Sequence, residues 1–113
     1  MNEPLYPADV EAMLLRLMGL LEKTVEEFAE ISEWRAEAEA EYKNQYHRMM
    51  IKMVDGTVSQ KESMAQVKSA DAFREWKLLE AQEKGNQQRL ISIRTQIESL
   101  RTISANVRAA IGG

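Results

Sequence analysis

Arg94, Arg101 and Arg108 recur every seven residues near the end of this chain, with Gln87 one interval earlier. On a helix that spacing sets three guanidinium groups along one edge, about 10.5 Å apart. Such an edge can neutralise successive phosphates of a nucleic acid, or it can meet acidic side chains of a facing helix beside an apolar seam. A chain folded back near residue 56 favours pairing, since the three arginines then approach Met18, Glu11 and the region of Glu3 in turn. Arg89 adds a fourth cation, and after Gly85 only Glu98 opposes them.

A second basic zone holds Lys43, His47, Arg48 and Lys52, interleaved with Tyr42 and Tyr46. Aromatic rings among cations are the composition of single-strand binding surfaces. Helical spacing groups Tyr42, Tyr46 and Met49 apart from Arg48 and Lys52, so a tyrosine-lined seam with a solvated basic edge also accounts for them. Between Glu22 and Glu41, eight glutamates face only Lys23 and Arg35. Glu26, Glu30, Glu33 and Glu37 can present an acidic face that imitates phosphates to a basic groove, although such runs more often serve as solvated helix surface.

Catalysis has little to stand on. Paired carboxylates need a pocket that separates their proton affinities. There is no cysteine, His47 is the lone histidine, and no glycine-rich phosphate loop occurs. The expectation is a chain that is not an enzyme, with no cofactor, no metal and no small-molecule substrate. Met13, Met18, Met49 and Met53 are adaptable filler on or beside a seam.

The elements that must carry these residues follow from punctuation and period. The chain has 113 residues, 29% of them charged and 6% aromatic, with a net charge of −3. That suits one domain of exposed helices that form seams rather than a broad core. The N-terminus lacks the features of a secretion signal, and the stretch from Met13 to Leu21 is broken by Arg16 and Gly19. At nine residues it falls far below the roughly 20 that span a bilayer. A soluble cytoplasmic protein without membrane contact is expected.

No proline follows Pro7, and the strongest internal turn signal is Asp55-Gly56. The spacing predicts an all-α antiparallel helical hairpin, or coiled coil, in one domain over 1–113. Helix one covers about 7–54, a turn covers 55–58, and helix two covers about 59–111. The first seam reads Val10, Leu14, Leu17, Leu21, Val25, Phe28 and Ile31, then Ala38, Tyr42, Tyr46, Met49 and Met53. The second holds Ala65, Ala72, Trp76, Leu79, Leu90, Ile93, Ile97, Leu100, Val107 and Ile111, interrupted by Glu83, Asn86 and Ser104. Capping boxes fit at Thr57 to Gln60 and at Ser59 to Glu62. Gly85-Asn86 allows a bend or a break into three helices, but the seven-residue frame stays in phase across it, which favours a continuous helix. Leu15, Leu20, Met50 and Ile91 remain uncovered on such a thin pair, so self-association into a homo-oligomer is expected.

Two segments carry a resemblance. Glu37 to Ala65 places an Asp55-Gly56-Thr57 turn before a capped helix, and Arg94 to Arg108 ends in Leu-Arg-x-x-x-Ala-Asn-Val-Arg. These resemble small helical proteins of temperate tailed phages, often encoded in the early region near single-strand annealing and single-strand-binding proteins. The resemblance implies a non-catalytic accessory protein of DNA recombination or replication, acting in the host cytoplasm by binding a partner protein or single-stranded DNA. The candidate contacts are Arg94, Arg101, Arg108, Arg89, Lys43, Arg48 and Lys52. Two other readings stay open: an acidic helical inhibitor of a host nuclease or anti-phage defence complex, presenting Glu26, Glu30, Glu33 and Glu37, and a coiled-coil structural or scaffold protein.

Overall fold

The computed structural model describes residues 6–112. It is an all-α helical hairpin built from α1 (Pro7–Lys52), α2 (Val58–Lys68) and α3 (Ala70–Gly112), with no strand among the described residues. Glu3 and the rest of the first five residues lie outside them.

Local chemistry explains the helix ends. Pro7 opens α1 where a missing amide hydrogen costs nothing, Asp9 puts negative charge in its first turn, and Lys52 puts positive charge in its last. The loop after α1 turns through Gly56, whose φ of 111° disfavours any side chain. Of the two candidate capping boxes, Thr57 to Gln60 forms. The Gln60 amide donates to Thr57 Oγ1 at 3.1 Å, and the Thr57 amide donates to Gln60 Oε1 at 3.0 Å. The helix therefore starts at Val58.

The second arm is interrupted, and not where glycine suggested. α3 runs through Gly85-Asn86 without a break, while α2 and α3 are separated at Ser69. The Ser69 hydroxyl donates to the Ala65 carbonyl at 2.6 Å, and its backbone sits at φ −103°, ψ 10°. A serine bonding back four residues competes with the helical ladder and bends it. Phe73 N–H then bonds Ser69 O at 2.9 Å, so the helix resumes at once. Glycine at position 85 costs some helix propensity yet leaves every backbone bond available, so regular helix continues there.

The chain divides into two compact units. One joins the chain up to Glu27 with the chain from Asn86 onward, and the other is Phe28–Gly85. In the first, Val10 and Leu17 pack with Ile93, Ile97 and Leu100, and Leu14, Leu20, Leu21 and Ile103 close the edges. Thr24, not Val25, occupies the seam here. Its hydroxyl donates to Leu20 O at 2.7 Å, which satisfies it in a fully buried position, and Val25 faces outward. Alternating steps of three and four residues from Leu21 lead to Thr24, and that phase overrides the preference for an apolar side chain. Ile111 is exposed rather than part of the seam.

In the second unit the seam is polar and aromatic. Arg35 Nε donates to both carboxylate oxygens of Glu83 at 3.2 Å. Tyr42 stacks on Trp76 with centroids 5.4 Å apart and meets the edge of Phe73 at 5.2 Å. Lys52 at the end of α1 shares a groove with Lys68 at the end of α2.

Candidate nucleic-acid and partner interface

In the first unit the α3 arginines meet acid. Arg108 Nη2 lies 3.6 Å from Glu11 Oε1, Arg101 lies 3.4 Å from Glu98, and Arg89 lies 3.8 Å from Glu27. Arg94 makes no ion pair among the described residues; it lines a groove with Met18, Leu21, Glu22 and Arg101. Arg94 thus lies beside Met18 as the fold-back predicts, whereas Arg108 meets Glu11, about one heptad further along α1 than a tight turn at residue 56 would give. All the ion pairs are largely exposed, so each contributes only about 0 to 1 kcal/mol and could exchange for phosphate contacts.

The second unit assembles a different surface. Tyr42, Phe73, Arg74 and Lys77 line one groove together with Gln66 and Ala70. Lys77 Nζ sits 4.1 Å above the Trp76 ring and 5.6 Å from that of Phe73. Phe73 is exposed, and Trp76 Nε1 is buried without a hydrogen-bond partner. Lys77 also pairs with Glu80 at 3.4 Å; a cluster of rings edged by cations suits stacking against a planar, negatively charged ligand.

Arg48 and Lys52 line a neighbouring groove with Ile51 and Lys68, and neither has an ion pair among the described residues. Lys43 is held by Glu39 at 3.2 Å. Tyr46 packs its ring beside Tyr42 and meets the His47 ring edge-on at 5.9 Å. From Lys43 to Lys77 the chain carries seven Lys or Arg against four Asp or Glu, within an acidic protein. Phe73, Arg74 and Lys77 are not among the contact residues that the sequence predicts. The run Phe-Arg-Glu-Trp-Lys does interleave rings with cations, but only tertiary pairing brings it against Tyr42.

On the acidic side, Glu30, Glu33 and Glu37 are exposed in the second unit and have no cationic partner among the described residues; Glu26 in the first unit is likewise exposed. Glu37 lines a groove with Trp34, Glu41, Glu75 and Leu79. No group of three His, Cys, Asp or Glu converges as a metal site among the described residues, and no helix there is long and apolar enough to cross a membrane. No protein-family model, curated protein or solved structure matches this chain.

Proposed function

We propose that this is a non-catalytic accessory protein of phage DNA recombination or replication that contacts single-stranded DNA through its second unit. The phage setting rests on the resemblance of Glu37 to Ala65 and Arg94 to Arg108. The observation that carries the binding mode is the groove of Tyr42 and Phe73 rimmed by Arg74 and Lys77. Bases can stack on the exposed ring while Arg48, Lys52 and Lys68 follow the phosphates. Arg94, Arg101 and Arg108 act here as a secondary edge, because no aromatic ring lines the groove of Arg94 and Arg101 for a base to stack on.

A fluorescence anisotropy titration with a labelled single-stranded oligonucleotide tests this reading. Binding should weaken steeply as salt rises. Phe73→Ala with Arg74→Ala should weaken it about tenfold or more, and changing Arg94, Arg101 and Arg108 together to alanine should have the smaller effect. Absence of binding at low salt, or indifference to the Phe73 and Arg74 changes, removes the proposal.

The exposed, unpaired Glu30, Glu33 and Glu37 favour a second reading, an inhibitor that offers its acidic helix to a nuclease or defence complex. Glutamine at these three positions together with Glu26 should then abolish inhibition while leaving oligomerisation and oligonucleotide binding intact.

A further inference from the structure

We propose that a second copy of this chain docks on the flank of the first unit that bears Leu15, Val25 and Ile91. Positions 15, 18, 22 and 25 of α1 repeat the three-four-three spacing of the buried seam, one strip over, and positions 91, 94, 98 and 101 of α3 do the same. Met18, Glu22, Arg94 and Arg101 line a single groove, so the two strips border one surface. Along it Leu15 is 71% exposed, Ile91 49%, Met18 45% and Val25 44%. On α1 three of the four positions, Leu15, Met18 and Val25, are apolar, more than a single partner helix covers, whereas on α3 only Ile91 is apolar.

The charges select a second copy over other occupants. Glu22 and Glu98 balance Arg94 and Arg101 across the apolar strip, so the flank is neutral and carries both signs. Turned about a two-fold axis, the same pattern faces itself, and Glu22 of one copy can meet Arg94 of the other. Neither residue has an ion-pair partner within its own chain among the described residues. An acidic or basic partner would be matched by an unbalanced surface instead.

Sedimentation equilibrium of the full chain over a wide concentration range, with no oligonucleotide present, tests the proposal. The expected species is a dimer. Leu15→Glu with Val25→Glu should raise its dissociation constant about a hundredfold, with helicity by circular dichroism unchanged because both side chains are exposed. Glu22→Arg alone should weaken the dimer, and Glu22→Arg with Arg94→Glu should restore it. A monomer at every concentration overturns the proposal, even if a helix from another protein later occupies the flank. So does a dimer indifferent to the Leu15 and Val25 changes.

Discussion

The seam of the first unit is closed by Val10, Leu17, Ile93, Ile97 and Leu100, whereas the second unit places the Arg35–Glu83 ion pair, Tyr42 and Trp76 at the corresponding helical positions. Apolar side chains gain free energy simply by leaving water, about 1.5 to 3 kcal/mol for each large one. An ion pair gains little net, because each charge loses its hydration on entering the seam. The contrast separates two kinds of packing: the first unit buries an apolar seam, and the second keeps rings and cations near the surface. The second unit should accordingly open more readily than the first.

The largest test of this division is Ile97→Ala. It should cost about 2 to 5 kcal/mol, read as a lower denaturation midpoint, because Ile97 is buried among other apolar side chains and leaves a cavity. An equal loss from a side chain of the polar seam would erase the contrast.

A smaller effect is expected at the ion pair. Glu83→Ala leaves Arg35 with Glu39 as its remaining partner, at 3.6 Å. Allowing for partial exposure of both groups, the loss should be about 1 kcal/mol. Faster amide exchange should be confined to the second unit, and faster exchange spread equally over both units would show that they open together.

Gly85→Ala should have the mildest effect and the opposite sign. The position is helical, and an added Cβ meets nothing within 4 Å. A gain of roughly 1 kcal/mol, visible as a raised melting temperature, is expected from helix propensity and from the loss of freedom in the unfolded chain. Destabilisation would mean that this glycine serves a purpose that neither its backbone nor its surroundings explain.

The candidate interface was half legible in the residues. Tyr42 and Tyr46 stand out among Lys43, Arg48 and Lys52 because all lie within a few turns of one helix. Phe73, Arg74 and Lys77 belong to a different helix, and their role depends on the alignment of the two. Ser69 hid for a related reason: serine is common on helices, and nothing in its neighbours marks the one whose hydroxyl turns back, buried, onto the Ala65 carbonyl.

What the residues determined alone is what depends on near neighbours along the chain: helix throughout, a turn at Gly56, a capped restart, and a seven-residue frame that passes Gly85 undisturbed. These follow from contacts within one turn of helix, which any isolated segment would feel. What tertiary structure decided is which turns face each other: Thr24 rather than Val25 in the seam, Arg108 beside Glu11, and Tyr42 against Trp76 and Phe73. A shift of one heptad along the seam preserves every local preference while exchanging every partner, so only the summed packing of both helices selects the register.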